Sequence, residues 1–180
     1  MSKSLVIISA SPRIGGNSEI LCEEFLAGAK STGVSGEVIY LRNISIHNCL
    51  VCQWCEKNQG ECIQKDDMSA ILDKIIQSDV IVLATPVYFN SMNARMKTLI
   101  DRTAARYKAL NNKNFYYIVT GADERKLAME RTIEGFRGFT KCLVKAKECG
   151  IIYGTGLISK GDIKGTLLLK KAFEMGRDIY

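Results

Sequence analysis

Four of the chain's seven cysteines, Cys49, Cys52, Cys55 and Cys62, stand in the run CLVCQWCEKNQGEC, a C-x2-C-x2-C-x6-C pattern. Thiolates returning at so short a repeat can wrap a compact centre, and a four-iron cluster takes four of them. Gly60 supplies the freedom for the return turn. The last spacer is longer than in ferredoxin runs and no proline follows Cys62, so the pattern argues against a ferredoxin module. Zinc held by four cysteines usually takes two well-separated C-x2-4-C pairs, which this run fits less well. Spacing therefore favours a cluster and leaves zinc, or free and redox-active thiols, as open alternatives. Trp54 either shields such a centre or anchors the loop, and His47, the lone histidine, reads as a surface residue. Cys22, Cys142 and Cys149 fall in expected helices and read as small buried hydrophobes.

A second stretch with chemical potential is Ser9-Ala-Ser11-Pro-Arg13-Ile-Gly-Gly-Asn17-Ser18, between an expected strand and an expected helix. Gly15 and Gly16 let backbone N–H groups converge, while hydroxyls, an amide and a guanidinium add donors. The helix turns its positive end toward the same point, so the loop suits a phosphate. The plainer alternative is a polar turn with Asn17 or Ser18 capping the helix. Neither the G-x-G-x-x-G fingerprint nor the G-x-x-x-x-G-K-[ST] loop is present. A third stretch, Ala84-Thr-Pro86-Val87-Tyr88-Phe89-Asn90-Ser-Met-Asn, leaves a strand in a direction set by the proline. Tyr88 and Phe89 would project toward the phosphate loop and could pack a flat aromatic ligand, or merely pack the loop itself.

These loops need a frame. Apolar runs suited to buried strands recur at Leu5–Ser9, Val38–Leu41, Val80–Thr85, Phe115–Thr120 and Ile151–Tyr153. Helical periodicity fills the gaps at Ser18–Ser31, at Met68–Ile76 after Asp66 and Asp67, at Asn93–Arg106, from about Glu124 to Cys149, and at Thr166–Asp178. Alternation of wholly apolar strands with helices predicts a doubly wound α/β domain, a five-stranded parallel sheet with helices on both faces. Ligands of such sheets sit beyond the carboxyl ends of the strands, so the loops after strands one, three and four are the places to look. At 180 residues the chain is expected to be a single domain over 1–180, its one long irregular loop at about 42–65 carrying the cysteines.

No apolar run reaches the roughly 18 residues of a membrane helix, and the short run after Lys3 reads as a first strand rather than an export signal. The expectation is a cytoplasmic protein with no membrane and no nucleic-acid partner, because the net charge of +6 is interleaved along the chain. A reducing compartment also disfavours disulfides in the cysteine run.

Taken together, SASPRIGGNSE, ATPVYFNSMNARMKTLIDR and VTGADE resemble the NADPH-dependent FMN reductase and multimeric flavodoxin-like families, in order and spacing over nearly the whole chain. The cysteine run is similar to that of the iron–sulfur flavoprotein branch. The resemblance implies a flavodoxin-like fold with bound FMN. Carried over by position, Ser9, Ser11, Arg13, Asn17 and Ser18 would hold the phosphate. Pro86, Val87, Tyr88, Phe89 and Asn90 would border the ribityl chain and ring, with Thr120, Gly121 and Ala122 closing the other side. It further implies a homodimer or homotetramer, and an NAD(P)H-dependent oxidoreductase. In that reading Cys49, Cys52, Cys55 and Cys62 ligate a [4Fe-4S] cluster, and electrons pass from FMN to a small-molecule or redox-protein acceptor. The alternative is a non-enzymatic FMN and iron–sulfur carrier between redox proteins. No catalytic acid or base is nominated, since the hydride chemistry is the cofactor's.

Overall fold

A computed structural model describes residues 3–179. Its strands are β1 (Ser4–Ser9), β2 (Ser35–Tyr40), β3 (Val80–Tyr88), β4 (Ser91–Met92), β5 (Asn114–Thr120) and β6 (Lys147–Gly154). The α-helices are α1 (Asn17–Ser31), α2 (Trp54–Lys57), α3 (Met68–Gln77), α4 (Ala94–Arg102), α5 (Leu127–Thr140) and α6 (Leu167–Arg177). Five strands pair in parallel in the order β2-β1-β3-β5-β6, and β4 folds back antiparallel on β3. The chain leaves β1 first for one edge and then for the other. The strand order thus reverses between β1 and β3, where sheets of this kind open a crevice.

Alternation along each strand divides the core into two layers. Val6, Ile8, Ile81, Leu83, Phe115 and Tyr117 meet α3, α4 and α5 on one face. Leu5, Ile7, Val80, Val82, Tyr116 and Ile118 meet α1 and α6 on the other. That double burial is why β1, β3 and β5 read as unbroken apolar runs. Helices α1 and α6 approach until backbone meets backbone. A Cβ placed on Gly28 would lie 1.9 Å from the Phe173 carbonyl oxygen, and one on Gly176 would lie 1.9 Å from that of Phe25.

Three expectations are corrected. The long helix from Glu124 to Cys149 ends at Thr140, whose Oγ1 donates back to the Phe136 carbonyl, and the chain becomes strand from Lys147. β6 shifts register opposite Phe115 and Tyr116, which pair with Glu148 and Gly150. Cys149 is the residue left over in that bulge. Cys149 and Cys142 are accordingly exposed rather than buried, while Cys22 is buried in α1. The β3–β4 hairpin is also unforeseen: Phe89 (φ 49°) and Asn90 (φ 59°) form its two-residue turn, both left-handed as a tight hairpin requires. Among the described residues no helix is long and apolar enough to cross a membrane.

Candidate functional site

A cleft of about 250 Å³ opens at the carboxyl ends of β1, β3 and β5, the point where strand order reverses. Ser11, Arg13, Gly16, Asn17 and Ser18 form one wall, Pro86, Val87 and Tyr88 a second, and Thr120, Gly121 and Ala122 a third. Leu157 and Ile158 complete the lining. Three of the expected residues lie elsewhere. Ser9 is fully buried in β1, beside the buried Cys22 thiol of α1. Phe89 and Asn90 form the hairpin tip, where the Phe89 ring is wholly exposed.

The phosphate loop is shaped by its own polar groups. Ser11 Oγ donates to the Arg13 carbonyl oxygen (3.1 Å) and accepts from the Arg13 N–H (3.2 Å), turning the chain sharply before the glycines. Gly15 takes φ 64°, and a Cβ on Gly16 would lie 2.9 Å from Ser11 Oγ, so only glycine permits this closeness. The first intrahelical bond of α1 runs from the Ile20 N–H to the Gly16 carbonyl, leaving the first-turn amides facing outward. Ser18 lines the cleft and makes no side-chain hydrogen bond among the described residues. Glu19, in the same turn, is neutralised by the guanidinium of Arg42, both side chains being largely buried. Free amides, an unengaged hydroxyl and Arg13 suit a phosphoryl group, and across the cleft Gly121 leaves room beside Val87. The residues fit a phosphorylated flavin.

Asn17 has a further task. Its Oδ1 accepts from the N–H groups of Gly161 (3.1 Å) and Ile163 (3.2 Å), and its Nδ2 donates to the Ser159 carbonyl (2.8 Å). Arg13 donates to the Ile158 carbonyl at 3.1 Å. The segment 157–163 is thereby strapped across the start of α1. The turn residues of GTGLISKGDIKG mark this segment as a loop in the sequence, but nothing there says where it lies. Below the cleft, Asn93 ties β1 to α4: its Nδ2 donates to the Ala10 carbonyl (3.1 Å), and its Oδ1 caps α4 by accepting from Arg95 N (2.9 Å).

The cysteine loop is held at its neck by a buried ion pair. Asp66 takes both arms of Arg102, at 2.6 and 2.9 Å, with both side chains 2% exposed. Asp66 also accepts from the backbone amides of His47 and Met68. Burial alone would raise its pKa, but the Arg102 and amide bonds outweigh that and hold it down at about 2. Arg102 donates further to the His47 carbonyl (2.7 Å) and reaches Cys62 Sγ at 3.5 Å.

Beyond the neck every spacer between cysteines contains a left-handed residue: Val51 (φ 52°), Gln53 (φ 58°), then Gln59 (φ 55°) with Gly60 (φ 85°). For a β-branched valine this conformation is strained. The donor set is thus four soft thiols on a loop that folds back in each spacer, which fits a metal centre in kind. In placement it does not: Cys49 and Cys52 are exposed. Among the described residues no three His, Cys, Asp or Glu side chains converge to hold a metal ion.

A family model described as NADPH-dependent FMN reductase matches residues 4–141. An iron–sulfur flavoprotein of Methanocaldococcus jannaschii is 35% identical over 134 residues, covering 73% of this chain and 68% of that protein. Another, from Archaeoglobus fulgidus, is 36% identical over 120 residues, covering 64% of this chain and 58% of that protein. The alignments thus span about two thirds or less of these relatives' own length. Among solved structures, an NAD(P)H:quinone oxidoreductase from Methanothermobacter marburgensis superposes with a TM-score of 0.72 at 17% identity, over 99% of both chains. That likeness concerns the fold.

Proposed function

Because the chain belongs to the NADPH-dependent FMN reductase family of oxidoreductases, we propose that it binds FMN in the β1–β3–β5 cleft and takes electrons from NADH or NADPH. The observation that carries this reading is the cleft itself. It joins an anion-binding helix start to the Tyr88 and Gly121 walls at the switch point of the sheet. When bound, FMN supplies hydride acceptance from a nicotinamide. The chain's own part is positional: first-turn amides, Ser18 and Arg13 hold the phosphate. Pro86 directs the β3 loop, and Gly121 admits close approach of the ligand.

The finer reading is an iron–sulfur flavoprotein in which Cys49, Cys52, Cys55 and Cys62 take up a [4Fe-4S] cluster. Its support is the spacing, the left-handed residue in each spacer and the description of the relatives. Because the thiols stand apart, the loop would have to close as the metal is loaded. Such a centre would let electrons leave singly, toward a quinone, a nitro or azo compound, oxygen or a redox protein. Apolar side chains exposed beside the cleft, Phe89 and Ile158 among them, support a homodimer or dimer of dimers.

The test is an anaerobic spectrum with iron and sulfide assays, followed by NADH or NADPH. Flavin bands that bleach within seconds support the reductase, whereas reduction only by dithionite or a ferredoxin would replace it with a carrier. About four irons per chain support the cluster, and flavin without iron removes it. Arg13→Ala is expected to weaken FMN binding roughly 10- to 100-fold, the worth of charge-assisted hydrogen bonds. Fluorescence titration checks this, and unchanged affinity would take Arg13 out of the phosphate site.

A further inference from the structure

We propose that Lys160 supplies a second cation to the phosphate site and so makes the cleft select a phosphorylated flavin over riboflavin. The inference rests on the placement of FMN argued above. Lys160 lies outside residues 4–141 matched by the family model and outside the phosphate-loop motif. Its side chain nevertheless crosses that loop. A Cβ on Gly15 would lie 2.9 Å from Lys160 Cε and 3.4 Å from Nζ, which puts the ammonium directly over the glycine turn.

The placement is built rather than accidental. The residues on both sides of Lys160 are clamped to Asn17: the Ser159 carbonyl takes its Nδ2–H, and the Gly161 and Ile163 amides donate to its Oδ1. Two residues before it, the Ile158 carbonyl accepts from Arg13. Gly161 at φ 89° turns the chain away immediately after the lysine. The nearest carboxylate in the strap, Asp162, is engaged by the Ile158 and Ser159 amides at 2.9 and 2.6 Å. Lys160 forms no ion pair among the described residues. An ammonium held over an anion cradle, with no carboxylate of its own, serves an anion that enters the cradle.

Arg13 and Lys160 then divide the labour. Arg13 is tied to the strap by one arm and lines the cleft, while Lys160 comes from the strap and covers the loop from outside. With the first turn of α1 below, a phosphate dianion would meet positive potential on several sides. The gain is electrostatic, so it belongs to the phosphate alone and weakens as salt screens it.

Dissociation constants for FMN and for riboflavin, measured by flavin fluorescence on the full chain at low and high salt, test this. For Lys160→Met the FMN affinity should fall about tenfold at low salt, the scale of one cation near a surface dianion. Riboflavin affinity should stay level, and the FMN loss should shrink at high salt. Lys160→Arg should retain most of the preference, and Lys160→Glu should lose more than the methionine variant. Equal FMN affinity in wild type and Lys160→Met overturns the proposal. So does a parallel loss for both flavins, which would mark the lysine as a prop for the strap. If the wild type itself binds FMN no better than riboflavin, the placement of phosphate in the cradle fails, and the role of Lys160 falls with it.

Discussion

Replacing Arg102 with methionine should destabilise the protein by about 3–5 kcal/mol, the usual consequence of stranding one member of a buried pair. The methionine fills the space but leaves the Asp66 carboxylate, 2% exposed, without its countercharge and the His47 carbonyl without its donor. Asp66 also fastens the two stems of the cysteine loop through the amides of His47 and Met68, so the loop should open before the sheet melts. Denaturant unfolding and limited proteolysis at Lys57 read the two effects. Wild-type stability with unaltered cleavage would show that the pair contributes nothing net. Adding Asp66→Asn should recover part of the loss, because the variant then buries no unpaired charge.

The same pair gives a pH dependence with a defined sign. The pKa of Asp66 falls on folding, from an ordinary 3.8 to about 2. Its contribution is therefore complete only above about pH 5, where the unfolded carboxyl is almost wholly ionised, and is lost as pH falls through the unfolded value toward 2. The acid limb of the wild-type stability curve should be steeper than that of the Asp66→Asn, Arg102→Met double variant.

Gly28→Ala should cost about 3 kcal/mol, at the upper end of ordinary overpacking, although alanine is the better helix former by about 1 kcal/mol. The reason is the atom that its methyl meets. The Phe173 carbonyl oxygen at 1.9 Å belongs to a helix backbone, which no rotamer change can move aside. Gly138→Ala in α5 is the matched comparison, since a Cβ there has nothing within 4 Å. It should stabilise the protein by roughly 0.5–1 kcal/mol. If thermal melts show both variants stabilised, propensity rather than contact governs these glycines.

The frame was legible because parallel strands buried on both faces leave unbroken apolar runs, as in Val80–Thr85 and Phe115–Thr120. The starts of α1 and α4 fall within one residue of the expected Ser18 and Asn93, each marked by a loop of small polar residues. β6 was foreseen only over Ile151–Tyr153, because its first half is exposed and polar at a sheet edge and carries no burial signal. At the site, local chemistry was readable: Ser11, Arg13, Gly16, Ser18, Pro86 and Gly121 line one cleft. What was not readable depends on distant segments meeting. Asn17 bonds across 142 residues to Ser159, and Asp66 bonds across 36 to Arg102. Neither partner carries any mark of the other in its own neighbourhood.

The backbone contact at Gly28 and Gly176 also orders events in time. Before residues 157–163 emerge from a ribosome, β1 to β5 can already pair, but the strap to Asn17 and Arg13 has not been made, and the outer face of α1 still lacks α6. Docking α6 joins residues nearly 150 positions apart, a long closure of the kind that slows folding. The strap over the phosphate loop is thus made late, and a nascent chain caught before that step would hold most of its sheet while lacking the contacts that residues 158–163 bring to the phosphate loop. Supplying FMN during refolding should then speed the arrival of the native state little and chiefly retard its loss.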